Sequence, residues 1–400
     1  MRYRFALVVA CGLHVAPVIV LAQTALTRAD AARTALERGP RLGVARADVA
    51  VANAALIAAR VYPNPAFSAA YSKSVPTYHY TLDVPLDLPM IRRPRIRAAQ
   101  TGVRAAEIRY QLGRLLIEIE ADTLYTRAIA ARERLRLSRR NALDADSLLH
   151  MVERRRDAGD ASDMDAELAR VNAGEQANVA AADSLTMISA FLDLQAALGM
   201  LGDGVRVALV DSLTMPPAPT TPAPRALGEI AAGESLDAAA LNARFQHRSV
   251  WSQFSIALGF EHGDPDQHGI LPTFGVGIGL PFFDRNRGPI AQAEAERNRA
   301  QAELTLAQIE TRNALAHAQR ERANAAAKAK RDVAIIGSAN RVAGMSLTAY
   351  REGALALVNV LEAQRNARDL LGQYIDDLAA AWIATAELRV FSAIPTPPHP

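Results

Sequence analysis

One cysteine stands among 400 residues. It is Cys11, so the rest of the chain has no thiol, which suits an oxidising compartment and excludes metal sites built on paired cysteines. Beyond Leu21 no stretch of 18 or more apolar residues is present, so the sequence offers no membrane-spanning helix. An excess of charge of one sign is lacking as well. The formal net charge is +3, and basic residues alternate with acidic ones, the pattern of a solvated, salt-bridged face and not of a nucleic-acid-binding surface. Nucleophile elbow, phosphate-binding loop and paired-histidine zinc motif are all missing, which argues against an enzyme. Half of the residues are apolar, yet many of these are alanine, and the large ones fall in narrow stripes. Such stripes imply helices packed side by side instead of elements wrapped around one thick core.

The first residues carry the marks of a secretory signal. Arg2 and Arg4 precede an apolar run from Phe5 to Leu21, and Val20 and Ala22 stand as a small-residue cleavage site, giving a signal peptide over 1–22 and a mature start near Gln23. Val8-Val9-Ala10-Cys11 resembles a lipidation signal, but too few apolar residues precede it for a normal signal core, so Cys11 is not taken as lipidated.

Two long helical stretches of about 65 residues dominate the mature chain, Pro94 to Gly159 and Pro289 to Gly353. Each would be roughly 95 Å long at about 1.5 Å per residue. Each is preceded by short alternating runs. In Tyr78, Tyr80, Leu82 and Val84, in Phe254, Ile256 and Leu258, and in Phe274, Val276 and Ile278, the apolar residues share one face and small or polar residues the other. Each is followed by a return helix, one reaching about Leu198 and the other running from Leu357 to Phe391. Equivalent positions in the halves are about 190 residues apart, which reads as a tandem duplication. The expected division is a first repeat over 23–200, a Pro-rich linker over 201–234, a second repeat over 235–391 and a disordered tail over 392–400. The second repeat has the poorer first helix, expected only from Leu236 to about Arg248, roughly 20 residues short of what the tandem pattern requires. Either the Pro-rich linker fills that gap or the wall there is thinner.

Two hairpins cannot bury their own apolar faces and need partners. Three copies would supply a barrel of about twelve antiparallel strands, with the ten apolar residues of these alternating runs facing lipid. With its tandem repeat, the strand exit Gly279-Leu280-Pro281-Phe282-Phe283-Asp284-Arg285-Asn286-Arg287-Gly288 and the turn Tyr350-Arg351-Glu352-Gly353 before Val358-Asn359-Val360-Leu361-Glu362, the chain resembles the TolC-type outer membrane efflux proteins. The strand exit looks most like the branch that exports cobalt, zinc and cadmium. The resemblance implies a mainly α homotrimer: a periplasmic α-helical tunnel, an outer membrane β-barrel with four strands per chain, and no cofactor. Its implied partners are a periplasmic adaptor, an inner-membrane pump and outer membrane lipid. A periplasmic helical-hairpin adaptor is the alternative, but it would carry one hairpin and extensive soluble β domains.

In such a duct selectivity comes from rings of charge at a constriction. The candidates for entrance and gating are Asp157, Asp160, Asp163 and Asp165 at the first helix-to-helix turn, and Arg351 and Glu352 at the second. Gly159 and Gly353 are the candidate adaptor-docking tips. For Asp160 and Asp163 the competing role is capping of the return helix. His262, Asp264, Asp266 and His268 form a loop cluster in which Gly263, Pro265 and Gly269 indicate an ordinary solvated turn and not a metal site.

Overall fold

The computed structural model describes residues 24–395 apart from 201, 203, 204, 206, 252, 253 and 268. The expected signal segment with Cys11, the end of the tail and His268 lie outside the described residues. The elements run β1 (Thr24–Leu26), α1 (Arg28–Arg38), α2 (Pro40–Arg60), β2 (Ala66–Tyr71), β3 (Tyr78–Pro85), α3 (Pro89–Asp157), α4 (Asp163–Ala197), β4 (Val207–Leu209), α5 (Leu227–Ser249), β5 (Phe254–His262), β6 (Leu271–Ile278), α6 (Arg287–Arg351) and α7 (Leu357–Leu388), with a 3-10 turn at Arg389–Phe391.

Two continuous staves, α3 of 69 residues and α6 of 65, run the length of the helical part, each about 100 Å long. The shorter helices pack along them in two tiers. Near the sheet the lateral order is α2, α3, α5, α6; at the far end it is α4, α3, α7, α6. The contact surfaces are rich in alanine, as at Ala105, Ala106, Ala128, Ala318 and Ala329, which lets the helices approach closely.

Pro94 lies inside α3 and does not start it. A proline has no N–H to give to the carbonyl four residues back. That carbonyl, Met90 O, instead accepts from Arg248 Nη1 at 3.4 Å, across the interface with α5.

The two tiers join at a dense layer where β1 pairs in parallel with β4. Around it Tyr125, Ile129, Leu194, Leu198 and Val207 are fully buried. Asp122, only 6% exposed, is held by Arg28 on one side and by Arg389 at 2.6 Å on the other. Arg28 also lies over the Trp382 ring at 3.8 Å. Asp211 accepts from the Tyr125 hydroxyl at 2.7 Å, and burial with that neighbouring carboxylate pushes the phenol up to about 12.

Three features differ from the sequence expectation. First, α5 begins at Leu227 and has 23 residues against 21 in α2, so the first helix of the second repeat is not shortened beside α2. Gly228 and Gly233 read as helix breakers, but the segment is held between α3 and α6, where Arg104 pairs with Glu234 at 3.6 Å and Arg109 donates to Ser235 at 2.8 Å. What lacks a helical counterpart is α1, and the Pro-rich segment takes that place. Trp382 donates to Thr214 O, Arg322 donates to Pro217 O at 2.8 Å, and Ala223 N bonds Phe391 O at 2.7 Å, so the segment is laid along the wall.

Second, one helix, Arg41–Arg60, is long and apolar enough to cross a membrane by length and composition, with a mean hydropathy of 1.5. Its alanines carry that value around Arg46 and Asp48, which break any continuous apolar run. It packs along α3 and turns Val44, Val51 and Ile57 outwards. Third, the three-residue strand β1 falls in a stretch too short to show a period.

Candidate functional site

The four longer strands form one antiparallel sheet in the order β2-β3-β5-β6. Residues directly opposite in an antiparallel pair share a face. The register sets Phe67 against Leu82, Tyr80 against Phe260, Leu82 against Leu258, Val84 against Ile256, Leu258 against Phe274 and Phe254 against Ile278. All ten candidate lipid-facing residues, Tyr78 included, therefore lie on one face. Tyr80 stacks on Phe260 with ring centroids 4.8 Å apart, and Phe274 and Val276 are largely exposed.

On the opposite face stand His79, Thr81 and Asp83, then Ser255, Ala257, Gly259 and Glu261, then Thr273, Gly275 and Gly277, with His79 and Glu261 in contact at 3.1 Å. Of the glycines there, Gly259 is required by close approach. A Cβ on Gly259 would meet the Thr273 hydroxyl and the Tyr80 carbonyl, each at 2.6 Å. The outer edges of β2 and β6 have no strand beside them among the described residues.

At the far end of the helices the two turns are built alike. Gly159 at φ 83° and Gly353 at φ 76° take the left-handed conformation, and the next residues, Asp160 and Ala354, return their N–H groups to the carbonyls of Arg155 and Ala349. The structure brings the turns together. Leu148, Val152, Ala166, Ala169, Leu357 and Val360 close a small core around Tyr350. Arg155 lies over the Tyr350 ring and donates to the Tyr350 carbonyl. Burial and the nearby Asp165 push the Tyr350 phenol above its ordinary range.

The tip acids are exposed except Asp165, which is half-buried. Asp157 pairs with Arg156 at 2.7 Å. Neither Asp160 nor Asp163 is the helix cap. Ser162 is, accepting from Asp165 N at 3.1 Å, while Asp163 and Asp165 stand in the first turn, where a helix N-terminus favours negative charge. Arg351 and Glu352 are exposed at the end of α6. Among the described residues no group of three or more acids, histidines or cysteines is placed to hold a metal ion. In the β5–β6 loop, Asp264 accepts from the backbone of Asp266 and Gln267, the geometry of an ordinary turn.

Arg155 was missed from sequence because it sits in the run Arg154-Arg155-Arg156, which reads as solvated charge; only its spacing from the Gly159 turn distinguishes it. A second group left unmarked is Asp332, Asp377 and Lys328 between α6 and α7. Lys328 and Asp377 are 3.8 Å apart, and Asp332 Oδ2 is buried with no hydrogen-bond partner.

The model of the outer membrane efflux protein family matches residues 265–392. The cobalt-zinc-cadmium resistance protein CzcC of Cupriavidus metallidurans is 25% identical over 350 residues, covering 83% of this chain and 82% of that protein. Among solved structures, a membrane protein from Pseudomonas aeruginosa superposes with a TM-score of 0.76 at 20% identity over 92% of this chain and 93% of its own. The CmeC outer membrane channel of Campylobacter jejuni gives a TM-score of 0.77 at 15% identity over 91% and 85%.

Proposed function

The chain belongs to the outer membrane efflux protein family, and from that premise we propose that it is the passive exit duct of a tripartite export system, its sheet in the outer membrane and its helices in the periplasm. One observation carries this reading: the strand register gathers the large apolar side chains of the sheet, Leu271 apart, on one face, directly above two staves about 100 Å long. That face suits hydrocarbon, and the glycine- and serine-lined face suits a wet lumen.

The chain works as a homotrimer. The free edges of β2 and β6 need strands beside them, and three four-stranded sheets would close into a barrel. The outward row Val44, Val51 and Ile57 on α2 lies at the lateral edge of the upper tier, where α6 of another copy would cover it. The two repeats, joined by the Pro-rich segment, form adjacent sectors of the wall. The paired turns at Gly159 and Gly353 meet the periplasmic adaptor, and an inner-membrane pump loads the duct. Metal cations are the substrate class, a reading supported by the similarity to a cobalt-zinc-cadmium resistance protein. No bond is made or broken, so the chemistry is electrostatic selection at the tip.

The test is complementation. A strain lacking its own duct but supplied with a matching adaptor and pump should regain tolerance to zinc or cadmium, and the protein should leave the envelope only with detergent and migrate differently before and after heating. Release by urea or salt alone would overturn the reading.

A further inference from the structure

The sequence places similar phrases at the two strand exits. Leu88-Pro89-Met90-Ile91 leads into Arg92, Arg93, Arg95 and Arg97, and Leu280-Pro281-Phe282-Phe283 leads into Arg285 and Arg287. The structure gathers both exits at the end of α5. Arg248 bonds Met90 O at 3.4 Å, and Asn286, in the left-handed conformation at φ 56°, donates its side-chain amide to Gln246 O at 2.8 Å and to Ser249 Oγ at 2.7 Å. Trp251, half exposed, comes directly after α5.

The arginines of this collar divide into two sets. Arg92 and Arg95 are tied down: both reach Asp87, at 3.3 and 2.6 Å, and Arg92 also covers the Tyr62 ring. Arg93 and Arg287 are exposed with no acid within ion-pair distance among the described residues, and Arg285 gives only a weak bond to the Pro281 carbonyl at 3.3 Å. Asp87 is taken up by those arginines, and Asp284 accepts from the backbone of Asn286 at 2.8 Å and forms no ion pair among the described residues. Beside the free arginines stand the large aromatics Phe282, 69% exposed, and Phe283, wholly exposed at 103%. Aromatic side chains next to uncompensated cations, at the end of a sheet with one apolar face, match the border between hydrocarbon and headgroup. Strands of 8 and 9 residues at about 3.3 Å each, tilted by about 40° as in a barrel, cover about 20–23 Å, most of the roughly 25 Å of an apolar band.

We infer that this collar is a binding site for anionic phospholipids of the adjoining leaflet, with Arg93, Arg285 and Arg287 on the phosphates and Phe282, Phe283 and Trp251 among the upper acyl chains. The inference rests on the placement of the sheet in the outer membrane. Its chemistry is charge pairing outside the hydrocarbon, where each arginine near an anionic surface strengthens attachment by about fivefold.

The purified protein in detergent, titrated with dioleoyl phosphatidylglycerol or dioleoyl phosphatidylcholine and read by native mass spectrometry, tests it. The wild type should retain phosphatidylglycerol at least tenfold more than phosphatidylcholine and lose that preference in high salt. The triple variant Arg93→Gln, Arg285→Gln, Arg287→Gln should lose it at low salt, whereas Phe283→Ser should weaken both lipids and leave the preference. Equal retention of the two lipids by the wild type would overturn the site. So would an unchanged preference in the triple variant, or a wild type without preference whose triple variant no longer assembles, since the arginines would then face another copy of the chain. Heat-modifiable migration of the same sample separates the two readings: a protein that shows it but has no lipid preference retains the barrel and loses the site, and one that shows neither loses both.

Discussion

Arg155 sets its guanidinium 4.8 Å from the centre of the Tyr350 ring and donates to the Tyr350 carbonyl, so one side chain ties the end of α3 to the end of α6. A charged hydrogen bond and a partly buried cation–π contact together are worth on the order of 2 kcal/mol. Arg155→Ala should free the two turns from each other. Spin labels at Ala158 and Ala354 should then report a broader distance distribution, and reconstituted channels should conduct more. Unchanged distances would remove Arg155 from any gating role.

Gly159 and Gly353 have open space where a Cβ would stand, so what restricts them is backbone conformation and not crowding. An L residue in the left-handed region costs about 1–2 kcal/mol, which two long helices can bear. Gly353→Trp should therefore leave the protein assembled in the outer membrane and stop export, because a docking tip needs close backbone approach. Normal tolerance to the exported metal in this variant would show that the turn does not dock.

The architecture was legible because it repeats. The offset between Pro94 and Pro289, and the alternation through Phe274, Val276 and Ile278, are periodic signals that survive without tertiary context. The start of α5 was not, because Gly228 and Gly233 argue locally against a helix that packing between α3 and α6 enforces. At the tip, the turn glycines declare themselves through their conformation. Arg155 does not, since its partner Tyr350 is 195 residues away and one arginine in a row of three carries no local mark.

The sheet separates lipid from lumen by alternate residues. Phe274→Arg, in the middle of β6, should cost about 2–4 kcal/mol near mid-bilayer and reduce the assembled species. On the other face Gly275 is the cleaner comparison, because its Cβ would meet only the Ala257 methyl at 3.4 Å, whereas one on Gly277 would press on the Ser255 hydroxyl at 2.5 Å. Gly275→Lys should assemble and change conductance. Heat-modifiable migration of both variants provides the measure, and equal tolerance would count against a barrel.

Between α6 and α7, burial and the neighbouring Asp332 raise the Asp377 carboxyl above its ordinary 3.8, against the opposing pull of Lys328. A carboxyl raised on folding contributes stability that is complete below its unfolded value and is lost as pH climbs through the folded one, so the helix pair should weaken from about pH 4 upward. Asp332→Asn removes the like charge and keeps the Lys328–Asp377 pair. Thermal melting of this variant should change less between pH 4 and pH 7 than that of the wild type, and the variant should be at least as stable at pH 7. A steeper pH dependence would show that the two acids do not repel.

At the tip, Ser162 caps α4, which leaves Asp160 and Asp165 free to act through their charge. Three copies of Asp157, Asp160, Asp163 and Asp165 would set up to about twelve carboxylates around one opening, a field that draws cations and repels anions. Asp157 is partly answered by Arg156, so Asp160 and Asp165 are the informative pair. Asp160→Asn with Asp165→Asn keeps the cap intact and should preserve the trimer. In reconstituted channels it should lower the preference for cations and weaken block by divalent ions, and the difference from wild type should shrink as salt is raised. Identical ion selectivity in the two proteins would leave these acids as solvated charge at a helix N-terminus.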